Sequence, residues 1–379
     1  MSAPFPNGTE IRSPRASREF DEICKSFLYH DFNLITITDL QFNPQVATEI
    51  VNRYHGYIRT VRVSANQSDE SKRVWNLLIP YVGESVTSLG VYYSDEGTLP
   101  PNGWDTFNNS VINALNCGRI TSFGVYSSSV FTVFLRGRAP PGTAALLHHI
   151  MQTETTITKF TSLDVVLDEI HSGVYDSLRK QLGNLRSLTI RGALILNLGY
   201  IWRKDQQVKW FPSKNLTNLQ LIHCACAYAP HIPHVVQVFP ALRTLFIAGC
   251  GSSWDVIPPR REAGWSIKGD TIWKRQAPLE SIRLECMAPW EVIALGVMRT
   301  NTLIITAMDP GTIEDAFRDE EIYPGVKILR TEPQYKRDPS VPPEQEGPSN
   351  QNRRPNLAQI CAERAITIVY DVKALMFPR

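Results

Sequence analysis

The amino-acid sequence predicts an α/β solenoid shaped like a horseshoe, with parallel strands on the concave face and helices on the convex face. The main observation is a recurring triplet: an apolar residue, two arbitrary residues, a second apolar residue, one arbitrary residue and a third apolar residue. Between the copies, the hydrophobic pattern changes to that of helices. A near duplicate supports the repetition, since Thr87–Tyr92 recurs 34 residues later as Thr121–Tyr126. A short strand with one apolar face cannot bury that face alone, so the repetition predicts strands stacked side by side.

Eight copies of the triplet define the repeats, and two cysteines give them a leucine-rich-repeat-like character. Cys224 follows Leu221 by three residues and Cys250 follows Ile247 by three, where such repeats place a cysteine that bonds the turn backbone. The copies start 25 to 40 residues apart, which indicates loop insertions between some of them. The copies are Ile58/Val61/Val63, Val86/Leu89/Val91, Ile120/Phe123/Val125, Phe160/Leu163/Val165, Leu185/Leu188/Ile190, Leu216/Leu219/Leu221, Leu242/Leu245/Ile247 and Leu279/Ile282/Leu284.

The sequence divides into four segments. We expect a disordered amino terminus over residues 1–16, an irregular leucine-rich-repeat solenoid over 17–332, a disordered loop over 333–355, and a closing helix and strand over 356–379. The solenoid begins with an amphipathic helix from Ser17 to Leu28, followed by a strand over 33–38 and a helix over 44–54.

Composition and charge exclude several classes of protein. A formal net charge of +2 favours neither nucleic-acid nor membrane binding, and no stretch of 18 apolar residues occurs. The first twenty residues contain charges and prolines instead of an apolar leader. Seven scattered cysteines are typical of a reducing compartment. We therefore expect a soluble chain in the cytoplasm or nucleus.

No catalytic motif is present. The sequence lacks a Gly-x-Ser-x-Gly nucleophile elbow and the glycine-rich phosphate loops, so we expect no catalytic residues, cofactor or metal, and no enzyme. The alternative is a zinc-binding protein or enzyme that uses His223, Cys226 and His231, although Cys-x-Cys lacks the usual two-residue knuckle. A degenerate product with no dedicated partner is a further alternative.

The concave face is where we expect function, because its side chains alternate with the buried apolar ones. Tyrosine, phenylalanine and arginine are common hot spots of protein interfaces. Tyr92 and Tyr126 are expected on neighbouring strands about 5 Å apart, as an aromatic ladder. We predict that a protein partner of unknown identity contacts Arg62, Tyr92, Tyr126, Arg191, Gln220, Phe246, Arg283 and Glu285.

Two segments carry a resemblance to a known family. Ile23-Cys24-Lys25-Ser26-Phe27-Leu28-Tyr29 is similar to the end of an F-box, and Cys361-Ala-Glu-Arg-Ala-Ile366 resembles a closing repeat. The chain thus resembles fungal F-box-type proteins with degenerate leucine-rich repeats, from about Asp21 to Tyr370. The resemblance implies a substrate receptor of a ubiquitin ligase, with a cullin-ligase adaptor as a second partner. The F-box helices themselves are missing before Ile23, which argues against adaptor docking.

Overall fold

The computed structural model describes residues 14–34, 43–65, 69–82, 84–93, 101–116, 119–127, 146, 160–166, 183–191, 214–224, 232, 236, 239–249, 277–287, 289–308, 310–332 and 357–372. The chain forms two compact units. The first consists of Met1–Tyr92 and Gly97–Ser122, and the second of Tyr93–Glu96 and Phe123–Arg379.

Parallel strands build both units. The strands neighbour one another in chain order, β1 to β3 in the first unit and β4 to β12 in the second. Every pairing whose register is described is parallel, so the predicted α/β solenoid with leucine-rich-repeat-like strands is confirmed. The strands are β1 Asp31–Leu34, β2 Thr60–Ser64, β3 Ser88–Tyr93, β4 Ser122–Ser127, β5 Ser162–Val166, β6 Ser187–Arg191, β7 Asn218–Ile222, β8 Thr244–Ala248, β9 Leu279–Glu285, β10 Thr300–Thr306, β11 Ile328–Thr331 and β12 Thr367–Tyr370.

Helices connect several of these strands. Asn43 caps α2, since its side-chain oxygen accepts hydrogen bonds from the backbone N–H groups of Gln45 and Val46 at 3.1 Å each. The described helices are α1 Pro14–Leu28, α2 Pro44–Tyr54, α3 Asp69–Val82, α4 Pro101–Asn116, α5 Pro289–Leu295, α6 Pro310–Arg318 and α7 Leu357–Glu363. A short 3-10 helix spans His55–Tyr57.

The apolar triplets form the core, as the sequence predicts. All eight copies fall on β2 to β9 or on the residues just before them, and each of their described side chains is buried. The second positions align across neighbouring strands, so Leu188 pairs with Leu219, and Leu219 with Leu245. Each column of apolar residues is therefore continuous from strand to strand, which is how a repeat buries a face that it could not bury alone.

Two further repeats, β10 and β11, lack a complete apolar triplet because threonine occupies core positions. Thr300 and Thr331 are fully buried. The hydroxyl of Thr331 donates to the Ile305 carbonyl at 3.0 Å, and that of Thr300 to the Leu279 carbonyl at 3.3 Å. Each hydroxyl thus bonds the neighbouring strand, which permits a polar residue in an apolar column.

Left-handed turns end several strands of the second unit. Each of β7 to β10 is followed directly by one residue with φ between 50° and 54°. These residues are His223, Gly249, Cys286 and Ala307, respectively. The N–H of His223 donates to the Ala248 carbonyl at 2.8 Å, and that of Gly249 to the Glu285 carbonyl at 2.9 Å. These bonds continue the ladder beyond the strands.

Cys224 has the role expected from its spacing. The thiol is buried and donates to the Ile190 carbonyl of the preceding repeat at 3.3 Å. Cys250, its counterpart one repeat later, lies outside the described residues.

Arg364 ties the closing helix to the preceding repeat. Its guanidinium donates to the carbonyls of Phe317 at 3.0 Å and Ile322 at 2.8 Å, around the carboxyl end of α6. Longer bonds reach the carbonyls of Asp319 and Glu320. The cation also lies 5.2 Å from the centre of the Phe317 ring. This arginine is part of the closing segment that resembles a terminal repeat.

The amino-terminal helix exposes its apolar stripe. The helix begins at Pro14, before the predicted Ser17, and its apolar stripe is not buried: Phe20, Ile23, Phe27 and Leu28 are 68%, 59%, 84% and 72% exposed. Its polar side makes the contacts instead, because Tyr57 donates to the Glu22 carboxylate. The first strand spans Asp31–Leu34 instead of 33–38, and residues 35–42 lie outside the described ones.

Candidate partner-binding surface

The polar face is the side of the parallel strands opposite the buried triplets. In the second unit its side chains form rows, because the strands share one register. One row runs Ser187, Asn218, Thr244 and Ser281, and the next runs Asp164, Thr189, Gln220, Phe246, Arg283, Ile304, Arg330 and Val369. We use the name "central row" for this second set.

A tyrosine–arginine cluster occupies strands β4 to β6 of this face. Nε and Nη2 of Arg191 donate to the two carboxylate oxygens of Asp164 at 2.9 Å each. The guanidinium carbon lies 5.7 Å from the centre of the Tyr126 ring. Both charged side chains are mostly buried, with exposures of 22% and 19%. The bidentate pair and the ring hold the guanidinium plane in one orientation, so little side-chain entropy would be lost on binding.

Gly124 allows Tyr126 to lie flat. A Cβ atom at position 124 would fall 2.6 Å from Cζ of the Tyr126 ring, so the ring occupies the space that a side chain would take. Tyr126 thus lies back along its own strand and presents a ring face to Arg191 instead of projecting outward.

His223 borders this cluster. Its ring packs against Gly249, where a Cβ would come within 2.7 Å of Cε1. Burial is the main cause that lowers the pKa of His223, and the positive charge of Arg191 lowers it further. The imidazole is therefore neutral at physiological pH.

A phenylalanine–arginine cluster occupies β8 and β9. Phe246 and Arg283 are register partners, and the guanidinium carbon lies 5.4 Å from the ring centre. Nη2 of Arg283 donates to Glu285 at 3.0 Å. This arrangement repeats the first cluster's chemistry: a cation on an aromatic ring, neutralised by a carboxylate.

Glu285 departs from the expected exposed position. Its side chain is fully buried, as are its register partners Ala248 and Thr306. This row lies at the strand ends, where the chain enters the left-handed turns. Glu285 therefore supports Arg283 from below, and a partner cannot reach it directly.

Gln220 lies between the two clusters on β7 and is half-buried. Its neighbours in the adjacent row are bonded to one another, because Asn218 donates to the Ser187 hydroxyl at 3.1 Å and accepts from Thr244 at 2.9 Å. These hydrogen bonds hold the three side chains of the row beside Gln220 in place.

The remaining predicted residues belong to the first unit. Arg62 is exposed on β2, paired in register with Asn33, and Tyr92 is half-buried near the end of β3. The aromatic ladder of Tyr92 and Tyr126 stays a prediction, as does binding by any of these residues.

Of the three residues in the zinc alternative, His223 lies within the described part of the chain, and the alternative stays a hypothesis. Cys226 and His231 lie outside the described residues. Within the described ranges, no three side chains of histidine, cysteine, aspartate or glutamate come together in a way that could hold a metal ion.

The sequence analysis missed several residues of the polar face. Asp164 lies on β5, whose alternate positions were not assigned, although the triplet at Phe160 was recognised. Ile304, Ile328 and Arg330 lie on β10 and β11, which lack a complete apolar triplet, and Val369 lies on β12, the closing strand whose alternate positions were not assigned. Arg330 donates two hydrogen bonds to the Asp371 carboxylate, from Nε at 3.1 Å and from Nη2 at 2.6 Å. Hydrogen bonding to Arg330 lowers the pKa of Asp371.

No family model matches the chain, and no curated protein matches it. Among solved structures, the chain is similar to one from the crystal structure of the Rad7 and Elc1 complex in yeast, at 10% identity with a TM-score of 0.28, over 84% of this chain and 89% of that one. Among the helices of the described residues, none has the length and apolar content needed to span a bilayer.

Proposed function

We propose that this chain is a protein-interaction module, without catalytic activity of its own, that binds a protein partner through the polar face of its strands. The observation that carries the proposal is the fixed Arg191, held between Asp164 and Tyr126 on three adjacent strands. A second, similar cluster at Arg283 lies on the same face. Preorganised arginine and aromatic side chains are the groups that dominate binding energy at interfaces.

The finer proposal is a substrate receptor of the F-box type, located in the cytoplasm or nucleus. Its support is the resemblance of residues 23–29 and 361–366 to that family. The exposed stripe of α1 is compatible with it, because Phe20, Ile23 and Phe27 would be available to a ligase adaptor. Large exposed apolar side chains on one helix face are typical of interaction sites.

Affinity purification with mass spectrometry tests the module. The tagged full chain is compared with a Tyr126→Leu/Arg191→Gln/Asp164→Asn variant, which removes the cluster without leaving a buried charge unpaired. Arg318→Ala is the matched control, since Arg318 is an exposed arginine on α6 whose ion pair with Asp315 is 3.6 Å long. We expect a protein recovered with wild type and control and lost with the cluster variant. Equal recovery from all three would refute binding through this cluster.

The adaptor role is tested separately on α1. A Phe20→Glu/Phe27→Glu variant should lose any cullin-ligase adaptor that wild type recovers, while it retains the partner of the polar face. Absence of adaptor and cullin subunits from the wild-type purification would overturn the ligase proposal and leave the interaction module standing.

A further inference from the structure

Half-exposed apolar side chains recur on the last strands of the second unit. In the central row, Phe246 of β8, Ile304 of β10 and Val369 of β12 occur on every second strand. Ile328 of β11, in the adjacent row, is 37% exposed. We call these four residues, with the interleaved Arg283 and Arg330, the apolar strip.

Both cations of the strip have carboxylates of their own. Arg283 pairs with the buried Glu285, and Arg330 pairs with Asp371 on the same side of the sheet. Together with these two carboxylates, the strip has two positive and two negative charges and no net charge. A complementary partner surface is therefore apolar and uncharged where it contacts the strip, since an unmatched charge would lose solvation without a compensating ion pair.

The backbone beneath β8 to β11 offers no edge for a partner strand, whereas β12 ends the described strand order. Each of β9, β10 and β11 is hydrogen-bonded to a strand on both sides. An extended segment laid across the strip would leave its own N–H and C=O groups without partners from the sheet. A helix satisfies those groups internally.

The spacing of the apolar side chains agrees with a helix. Strands lie about 4.8 Å apart, so side chains on alternate strands are separated by about 9.6 Å. Residues seven apart along one face of an α-helix are separated by about 10.5 Å. Residues on one side of an extended chain are separated by about 6.7 or about 13.4 Å, which matches the strip less well.

From these observations we propose that the apolar strip docks an amphipathic helix of a partner protein, with apolar residues at heptad spacing, lying across β8 to β12. The proposal rests on the proposed interaction function and specifies the class of partner segment. The apolar contact supplies the affinity. Arg283 and Arg330 keep their own carboxylate partners in the complex, so the helix does not have to replace water around an unpaired guanidinium group.

Peptide display on the full chain tests this inference. The probe is a library of 21-residue helical peptides with variable apolar residues at positions i, i+7 and i+14 and alanine, glutamine and paired charges elsewhere. The matched control library is identical except that prolines replace two central residues, which breaks the helix. We expect the helical library to be enriched over the control by about tenfold or more. The selected peptides should bind the Ile304→Gln variant about tenfold more weakly and Arg318→Ala unchanged.

A second variant and the salt dependence of binding provide independent checks of the proposal. Val369→Gln should weaken binding in the same direction, and circular dichroism should show both variants folded. The dissociation constant should change less than about threefold between 50 and 500 mM NaCl, because no net charge is matched. Equal enrichment of the proline library, no enrichment of either, or self-association lost in Ile304→Gln would each overturn the helix proposal. The proposed function fails separately, when the Tyr126, Arg191 and Asp164 variant keeps its natural partner.

Discussion

Removing the Arg364 guanidinium should loosen the carboxyl-terminal repeat. The two bonds to the carbonyls of Phe317 and Ile322, at 3.0 and 2.8 Å, are partly buried. A hydrogen bond from a charged group contributes about 1.5 kcal/mol or more, so these two contribute about 3 kcal/mol. The bonds to Asp319 and Glu320 are left out of this sum, because water can replace them at exposed carbonyls. Burial lowers the pKa of the guanidinium, yet an arginine stays protonated and keeps its donors.

Hydrogen exchange is the appropriate assay for Arg364→Ala. Repeat proteins open locally, so a single melting temperature would average over units of different stability. A loss of about 3 kcal/mol corresponds to exchange about 150-fold faster at the amides of α7 and β12. Arg318→Ala, at an exposed position on α6, should change exchange by less than about fivefold.

The reasoning for Arg364 can be refuted in two ways. Unchanged exchange in Arg364→Ala would mean that the carbonyl bonds contribute nothing measurable. Wild-type exchange in Arg364→Met would mean that packing of the aliphatic stem, and not hydrogen bonding, holds α7 in place.

Three further changes test other parts of the second unit. Gly249→Ala should destabilise by about 1–3 kcal/mol in urea unfolding, because φ is +53° and the Cβ would overlap the His223 ring, whereas Gly56→Ala, with no neighbour within 4 Å, serves as the tolerated control. Stability should fall as the pH drops below about 6.5, because burial lowers the folded-state pKa of His223 and the unfolded chain therefore binds the proton first. The His223→Gln variant should flatten that part of the stability profile. An unchanged profile in this variant would contradict the assignment to His223. Thr306→Val should stabilise the protein by about 1 kcal/mol, since the buried hydroxyl of Thr306 has no hydrogen-bond partner among the described residues. Thr331→Val should destabilise it by about 1 kcal/mol, because the hydrogen bond to the Ile305 carbonyl is lost. A change of the same sign for both variants in denaturant titration would refute this account.

The predictable part of the fold is the part governed by a repeated pattern. Leucine and isoleucine at fixed spacing on β6 to β9 predicted both the strands and their buried columns, because a one-residue shift would place every apolar side chain on the wrong face. Thr300 and Thr331 interrupt the apolar pattern, so the pattern does not predict the repeats of β10 and β11. Their hydroxyls bond carbonyls of neighbouring strands, and a contact with a residue more than twenty positions away has no local signature.

Alternation predicted which side chains share the polar face, but not how they are arranged there. Tyr126 lies flat because Gly124 leaves room for its ring, a relation visible in the sequence only as the pair Gly-x-Tyr. Glu285 obeys alternation and is nevertheless buried, because the strand ends beside it in a left-handed turn at Cys286. Exposure at a strand end is therefore set by the turn, and alternation alone overestimates the accessible surface.

The orientation of α1 shows a different limit. Its apolar stripe was evident from periodicity, which indicates that one face is to be covered but not by what. In the described part of the chain, Glu22 on the polar side of α1 accepts a hydrogen bond from Tyr57 within the first unit, while Phe20 and Phe27 stay exposed. The exposed stripe on the helix that precedes the first repeat and the apolar strip on β8 to β12 are the two surfaces at which we propose that a partner supplies apolar contact. The two surfaces belong to different units, so a single-site variant at either one separates the contributions of the two.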